Sequence, residues 1–286
     1  MEGALTSSLG PSSVGRVEIT GPYDVPGLPI KRLVRIYTPT VLKGVEKRPS
    51  LFMFDGQNMF EDEPSFAGGW HMDQMVERLA RRGFPVPVVI GIDHGGQSRL
   101  DELCPWLWGA SEGKANVLID WMVDKLLPDL RSQLSLDDRP EVTLVGGSSM
   151  GGLAALYAHF YRPDAFGGAM CISPAFWYAN GRIFPELARK PLPKTSRIYI
   201  DCGALEGNGG MIIIAERVVA LLHRRGYGPD RLLWKPDEHG DHRETHWRRR
   251  APRAIRFLLP KERRTQRVRK HKAPTRIWRA LLRGIN

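Results

Sequence analysis

The stretch that decides the fold is residues 145–160, VGGSSMGGLAALYAHF, in which small residues separate an apolar strand-like run from an apolar helix-like run. A phosphate-binding loop would need a lysine after its last glycine, and a dinucleotide-binding turn would need the spacing G-x-G-x-x-G; neither occurs here. The pattern G-x-S-x-G does fit, with Ser149 at its centre, and is typical of a sharp turn that exposes a nucleophilic serine between a strand and a helix. Side chains at Gly147 and Gly151 would collide with the strand or the helix. The alternative is a glycine-rich turn whose serines cap the helix.

Strand-like apolar runs alternate with helical stretches along the rest of the chain. Most of the runs are continuous, which is typical of strands covered on both faces in a parallel sheet. Strands are predicted at 33–39, 51–56, 86–93, 141–147, 167–173, 197–203 and 231–236, with 16–20 as a candidate for an eighth, and helices at 72–82, 115–134, 150–162, 212–225 and 243–258. The alternation predicts an α/β fold with a mostly parallel, doubly wound sheet of about eight strands. The first two strands, joined without a helix, predict an antiparallel pair at one edge.

The composition is that of a protein with a large core and no membrane span. The chain has 286 residues, of which 42% are hydrophobic and 26% charged. It contains no apolar run of about 18 residues, and its first fifteen residues include an acid and no apolar core, so neither a transmembrane helix nor a signal peptide is expected. The cysteines are scattered, at Cys104, Cys171 and Cys202. This pattern argues against a disulfide framework or a zinc site and predicts a protein of the reducing cytoplasm.

The net charge of +11 is concentrated near the C-terminus. Residues 261–286 contain ten Lys and Arg residues and one acid, Glu262, whereas the remainder contains 32 basic and 30 acidic residues. We therefore predict one domain over residues 1–260 and a basic tail over 261–286. Within the tail, RIWRALLRG at 276–284 would place apolar residues on one side of a helix, so an anionic membrane, a protein partner or nucleic acid is a candidate partner. A solvated tail is the alternative.

A nucleophilic serine needs a base and an acid that orients the base. The chain offers both in the order serine, acid, histidine that is typical of α/β-hydrolases. The run RIYIDCGALEG at 197–207 presents Glu206 after a predicted strand, with Asp201 on the strand itself as the alternative acid. The run DEHGDHRETHW at 237–247 follows the last predicted strand and contains His239, His242 and His246.

The same histidine run offers a metal site as an alternative. His242 and His246 are four residues apart, which would place them on one face of a helix with acidic residues nearby. The zinc-protease pattern needs a glutamate directly after its first histidine, and Arg243 stands there instead. The sequence therefore favours a serine mechanism over a metallohydrolase.

Five stretches resemble the putative esterase family of α/β-hydrolases, which includes esterase D, bacterial siderophore esterases, feruloyl esterases and mycolyltransferases. They are LFMFDGQNMF (51–60), VVIGIDHGGQSRLDELCPW (88–106), GGSSMGGLAALYAHFYRPDAFG (146–167), SPAFW (173–177) and H-x-E-x-x-W (242–247). The five stretches occur in family order and span about residues 33–260, and DGQNMF and SPAFW most resemble the siderophore esterases. The resemblance implies an α/β-hydrolase fold and ester hydrolysis without a cofactor.

The resemblance also implies a role for each matching residue. Ser149 is expected to be the nucleophile, His242 the general base and Glu206 the acid. The backbone N–H groups of Met150, directly after the nucleophile, and of Gln57 are expected to form the oxyanion hole.

Aromatic residues follow the predicted carboxyl ends of several strands, where loops of an open α/β sheet line the ligand crevice. Four of them are expected to bind substrate: Trp70, Trp106, Phe176 and Trp177. Taken one at a time, packing within its loop is the favoured interpretation for each, whereas together they predict a roomy apolar site for an aryl or long acyl ester. The predicted function is a serine carboxylic-ester hydrolase that acts on a small-molecule ester through an acyl-enzyme. The alternatives are an acyltransferase that uses the same residues, a metallohydrolase, or a protein that binds an anionic partner.

Overall fold

The computed structural model describes residues 15–259, apart from residues 64, 66, 110 and 194. The predicted basic tail at 261–286 and the predicted domain boundary at residue 260 lie outside the described residues.

Within the described chain, eight strands form one sheet. They are β1 Val17–Tyr23, β2 Arg32–Tyr37, β3 Ser50–Phe54, β4 Val88–Ile92, β5 Thr143–Ser148, β6 Gly168–Ile172, β7 Arg197–Asp201 and β8 Leu232–Trp234. Their order across the sheet is β1-β2-β4-β3-β5-β6-β7-β8. β2 is antiparallel to both of its neighbours, β1 and β4, and all other pairs are parallel. The prediction of a mostly parallel sheet of about eight strands is confirmed.

The central strands are continuous apolar runs because both faces of the sheet are covered. Every residue of β3, β4, β5 and β6 is buried, whereas the edge strand β1 has exposed residues. Across the centre, Phe52 lies beside Ile90 on one side and Val145 on the other. Burial of each large apolar side chain in such a row contributes about 1.5–3 kcal/mol to stability.

Helices cover both faces of the sheet. They are α1 Met72–Arg81, α2 Arg99–Leu103, α3 Ala115–Trp121, α4 Leu127–Leu134, α5 Met150–Tyr161, α6 Tyr178–Gly181, α7 Ile183–Arg189, α8 Gly210–Arg224 and α9 Glu244–Leu258. α1 and α9 pack on one face, and α3, α4, α5 and α8 on the other. Of the helices described, none is long and apolar enough to cross a membrane.

Parallel strands bring the loops that follow them to one edge of the sheet. The loops after β5, β7 and β8 carry Ser149, Glu206 and His242. A cavity of about 990 Å³ lies at the opposite edge, lined by residues that precede strands, such as Pro49 and Val142, and it includes none of the predicted site residues. The chemistry expected from the sequence therefore belongs to the carboxyl edge of the sheet, where open α/β folds bind their ligands.

Candidate active site

Ser149 lies on the turn between β5 and α5 with φ 54° and ψ −120°, a backbone conformation that side chains seldom tolerate. The glycines around it are required by the packing of the backbone. A Cβ atom on Gly147 would lie 2.6 Å from the carbonyl carbon of Gly151, which is closer than any real Cβ contact. A Cβ atom on Gly152 would lie 3.1 Å from Cβ of Pro174 in the next loop. The turn can therefore be this sharp only because Gly147 has no side chain, and a side chain at position 152 would crowd the next loop.

Three side chains from separate loops form one hydrogen-bonded line. His242 Nε2 lies 3.1 Å from Ser149 Oγ, and His242 Nδ1 lies 2.8 Å from Glu206 Oε2. Because an ionised carboxylate can only accept, Nδ1 carries the proton and Nε2 is left to accept from the serine hydroxyl. The side chain of His242 is 34% exposed and that of Glu206 is 0% exposed. The histidine can therefore be reached from solvent, whereas the carboxylate is enclosed.

Two glycines bring the loops after β7 and β8 together. Ala204 N–H donates to the carbonyl of Asp237 at 2.9 Å, and Leu205 N–H donates to the carbonyl of Gly240 at 3.1 Å. A Cβ atom on Gly240 would lie 2.7 Å from Cα of Gly203, so the two backbones are in direct contact. This contact sets how close the carboxylate of one loop comes to the imidazole of the other.

Replacing Gly203 with alanine is expected to lower kcat/KM for a chromogenic ester by about 100-fold, because small displacements of reacting groups are costly. The added methyl group would meet the carbonyl of Gly240 and lie 2.7 Å from Glu206 Oε1, so the loop has to shift. The control is Gly210→Ala, at a position where an added Cβ has no atom within 4 Å. Equal activities of the two folded variants would show that the glycine contact does not position the carboxylate.

Glu206 is held as a carboxylate by several donors. Its Oε1 accepts from Ser173 Oγ at 2.5 Å, from Gly203 N–H at 2.8 Å and from Arg250 Nη2 at 3.2 Å. Burial raises the pKa of Glu206, but hydrogen bonds from His242 and Ser173 and the charge of Arg250 outweigh burial and hold the pKa below its usual value. Glu206 is therefore ionised at neutral pH, as a group must be to stabilise an imidazolium.

Asp201, the alternative acid, is engaged elsewhere. Its Oδ2 accepts from the hydroxyl of Tyr199 at 3.0 Å, and its Oδ1 accepts from Ser173 N–H at 3.3 Å and lies 3.5 Å from Arg250 Nη1. Burial raises the pKa of Asp201 to about 7. The geometry thus favours Glu206 over Asp201 as the partner of the histidine.

The sequence analysis did not identify two buried polar residues of this site, Ser173 and Arg250. Arg250 is 4% exposed although it carries a charge. It stands three residues after Trp247 and four before Ala254, both buried in α9, so helical spacing places it on the buried face. A charged residue on an apolar helix face is the signal that could have pointed to it.

The two predicted oxyanion donors belong to neighbouring turns. Met150 is the first residue of α5, so its N–H has no acceptor within the helix. Gln57 lies in the short turn Gly56–Asn58 that follows β3. A Cβ atom on Gly151 would lie 3.3 Å from Asp55 Oδ2, which shows that the first turn of α5 and the turn after β3 are in contact.

Asp55 fixes the turn that carries Gln57. Its backbone is left-handed, with φ 60°, and its two carboxylate oxygens accept from Arg99 Nε at 2.6 Å and Nη2 at 2.8 Å. A Cβ atom on Gly56 would collide with the backbone of Gly91, so the turn rests directly on β4. The backbone around Gln57 is therefore held in place from two sides.

The four predicted substrate-binding aromatic residues divide into two groups. Trp70 and Phe176 are 1% and 0% exposed, and the ring of Trp70 packs 6.0 Å from that of Trp247. The expectation that Trp70 and Phe176 contact a substrate is therefore corrected, because both rings are enclosed in the core. Trp106 is half-buried and Trp177 is 50% exposed, so these two side chains are available to a ligand.

The other two histidines of the 237–247 run take different places. His239 is exposed in the loop, and His246 Nδ1 accepts from Asp241 N–H at 2.7 Å. Over the part of the chain that the structure describes, no group of three or more His, Cys, Asp or Glu side chains is arranged to hold a metal ion.

Comparison with known sequences gives one family and several relatives. The model of the family described as "Putative esterase" matches residues 27–258. The uncharacterized protein YbbA of Bacillus subtilis is 22% identical over 230 residues, covering 76% of this chain and 88% of that protein. The iron(III) enterobactin esterase of Dickeya dadantii is 32% identical over 153 residues, covering 52% of this chain and 31% of that enzyme. The match thus spans about a third of the length of that esterase.

Comparison with solved structures supports the fold. The BES protein from Bacillus cereus superposes with a TM-score of 0.68 at 18% identity, covering 90% of this chain and 97% of that one. The enterobactin esterase FES from Shigella flexneri, solved in the presence of enterobactin, superposes with a TM-score of 0.69 at 24% identity, covering 85% of this chain and 58% of that one. These likenesses confirm the predicted α/β-hydrolase fold.

Proposed function

Because this chain belongs to the putative esterase family, a family of carboxylic-ester hydrolases, we propose that it hydrolyses small-molecule esters with a catalytic triad of Ser149, His242 and Glu206. One observation carries the proposal. The hydroxyl, the imidazole and the carboxylate are joined by hydrogen bonds of 3.1 and 2.8 Å at the carboxyl edge of the sheet, with the serine on a strained turn.

In the first step, Ser149 Oγ attacks the carbonyl carbon of the ester. His242 Nε2 takes the hydroxyl proton as the new carbon–oxygen bond forms, and Glu206 stabilises the resulting imidazolium through the hydrogen bond from Nδ1. The tetrahedral intermediate then collapses, and the leaving alkoxide receives the proton from His242 as the alcohol departs. The product of this step is an acyl-enzyme on Ser149.

The negative charge that develops on the carbonyl oxygen needs donors that are already in place. We assign this role to the backbone N–H groups of Met150 and Gln57, each worth about 3 kcal/mol of transition-state stabilisation. The N-terminus of α5 adds positive potential at the same position. The Arg99–Asp55 pair keeps the turn of Gln57 from rearranging, so the donor needs no reorganisation during the reaction.

In the second step, a water molecule attacks the acyl-enzyme with His242 as the base, and Ser149 is released with its proton restored. An acceptor alcohol in place of water would make the same residues an acyltransferase. Hydrolysis is favoured because the matching family is one of esterases.

Exposed apolar side chains around the site favour an ester with an aryl or other apolar group. Trp177 is 50% exposed and follows Ala175, whose N–H donates to the carbonyl of Ser149 at 2.9 Å. Leu205, which directly precedes the acid, is 61% exposed. Since relatives of this chain are enterobactin esterases, enterobactin-type esters belong among the substrates to test.

The proposed mechanism is tested by mixing the protein with p-nitrophenyl benzoate and p-nitrophenyl acetate. We expect a burst of one p-nitrophenol per enzyme and a peptide containing Ser149 that carries the acyl mass. Hydrolysis that leaves no acyl adduct and is abolished by a metal chelator would contradict the proposal and favour the metallohydrolase.

The Trp177→Ala variant is expected to raise KM for the benzoate more than for the acetate.

The basic tail at 261–286 stays a separate prediction. It contributes none of the proposed catalytic residues, which all lie between residues 57 and 242. We propose that it acts apart from catalysis, on an anionic partner or surface, through attraction that salt screens over about 8–10 Å.

A further inference from the structure

Ser173 lies directly after β6 and is enclosed by the protein. It is 0% exposed, and its backbone is left-handed, with φ 45°. Its N–H donates to the carbonyl of Asp201 at 3.0 Å, which ties the end of β6 to the end of β7. A buried hydroxyl at such a place has to find hydrogen-bond partners, and those of Ser173 are unusual.

The hydroxyl of Ser173 makes three hydrogen bonds. Its Oγ lies 2.9 Å from Trp247 Nε1, 2.6 Å from Arg250 Nη2 and 2.5 Å from Glu206 Oε1. An indole and a guanidinium can only donate, and an ionised carboxylate can only accept. The hydroxyl therefore accepts twice and donates its single proton to Glu206. Its full hydrogen-bonding capacity is used, so its orientation is fixed.

Trp247 connects the same hydroxyl to the base. Its indole stands edge-on to the imidazole of His242, with ring centres 4.9 Å apart and planes at 88°. This edge-to-face geometry is the one that aromatic rings prefer. Because the indole N–H is anchored on Ser173, the ring is held at a fixed angle to the imidazole. One hydroxyl thus touches Glu206 directly and reaches His242 through a single ring.

Arg250 explains why the carboxylate needs this contact. Its guanidinium lies 3.2 Å from Glu206 Oε1 and 3.5 Å from Asp201 Oδ1, so two buried carboxylates share one cation. A carboxylate attracted to a cation on one side can turn away from its other partner. Ser173 lies between the two groups, accepts from Arg250 and donates to Glu206. It therefore engages Oε1 and leaves Oε2 directed at His242.

We propose that Ser173 is a positioning residue for the catalytic pair, which fixes the carboxylate of Glu206 and the imidazole of His242 together. The inference rests on the proposed function, because that function assigns the two groups their roles. A network in which every donor and acceptor is used is rigid, and rigidity of this kind is what a reacting pair requires.

The test is the variant Ser173→Gly, because glycine adopts φ 45° without strain and removes only the hydroxymethyl group. We expect kcat for a chromogenic ester to fall about 10- to 100-fold while KM stays within about threefold. The matched control is Tyr199→Phe, which removes the 3.0 Å hydrogen bond to Asp201 in the same buried network without touching Glu206. The control is expected to keep kcat within about threefold of the wild type, even if its Tm falls as much as the Tm of Ser173→Gly.

A double-mutant cycle separates positioning from general destabilisation. In a Glu206→Gln background, Ser173→Gly is expected to cause a much smaller further loss of kcat, because only the contact with His242 through Trp247 then remains. Wild-type kcat in Ser173→Gly, or an equal loss with and without Glu206, would overturn the inference. Full activity in Ser149→Ala would instead refute the proposed function, so the two failures are distinguishable.

Discussion

Replacing Ser149 with alanine is expected to lower kcat for a chromogenic ester by about 10⁶-fold and to abolish labelling by a fluorophosphonate. The proposed mechanism has no other group that can form the acyl-enzyme, since His242 Nε2 lies 3.1 Å from this hydroxyl. The fold should survive the change, because alanine keeps the Cβ atom and the backbone contacts of the turn. Far-ultraviolet circular dichroism and thermal unfolding check that expectation.

The adjacent serine provides the control. Ser148 is the last residue of β5 and is 7% exposed, so its side chain belongs to the sheet and not to the tip of the turn. Ser148→Ala is therefore expected to keep substantial activity and full labelling. Equal labelling of Ser149→Ala and the wild type would refute the nucleophile assignment, and loss of labelling in Ser148→Ala alone would move the role to the neighbouring serine.

The turn around Ser149 was predictable because its backbone requires small residues at fixed positions before and after the serine. A side chain at position 147 would collide with the backbone of Gly151, so the pattern carries three-dimensional information. The order of strands along the chain then placed the loops of Glu206 and His242 at the same edge. The contact between the two could not be derived in this way, since it depends on the close approach of the loops after β7 and β8.

Side-chain environments were harder to predict than the path of the chain. Trp70 and Phe176 follow strands and are aromatic, as substrate-binding residues often are, yet both are buried. Residue type does not reveal which face of a loop packs inward. Ser173 and Arg250 were missed for a related reason, because a buried polar residue is recognised by its partners, and those partners come from distant parts of the sequence. The short helices α2, α6 and α7 were missed because they are too short to display a helical period.

Replacing Glu206 with glutamine is expected to lower kcat by about 10⁴-fold with little change in KM. An amide in this position can donate to Nδ1 of His242, which would then carry its proton on Nε2. A protonated Nε2 cannot accept from the hydroxyl of Ser149, and no carboxylate remains to stabilise the imidazolium. The lost activity thus follows from the wrong tautomer as well as from the lost charge.

The informative comparison is with Asp201→Asn, since Asp201 is the other buried carboxyl beside Arg250. Asn can still accept Ser173 N–H on its side-chain oxygen, and the histidine keeps its 2.8 Å contact with Glu206 Oε2. We therefore expect Asp201→Asn to retain kcat within about tenfold of the wild type. Loss of activity that is larger in Asp201→Asn than in Glu206→Gln, with both proteins folded, would transfer the role of the acid to Asp201.

The charge balance predicts a further difference between the two variants. In the wild type, burial raises the pKa of Asp201 to about 7, and the negative charge of Glu206 adds to that effect. In Glu206→Gln this charge is gone, so Arg250 acts on Asp201 alone and the pKa of Asp201 is expected to fall. Carboxyl titration by isotope-edited infrared or NMR spectroscopy measures that shift. An unchanged Asp201 pKa in Glu206→Gln would mean that the two carboxyl groups do not share the guanidinium, contrary to the distances of 3.2 and 3.5 Å.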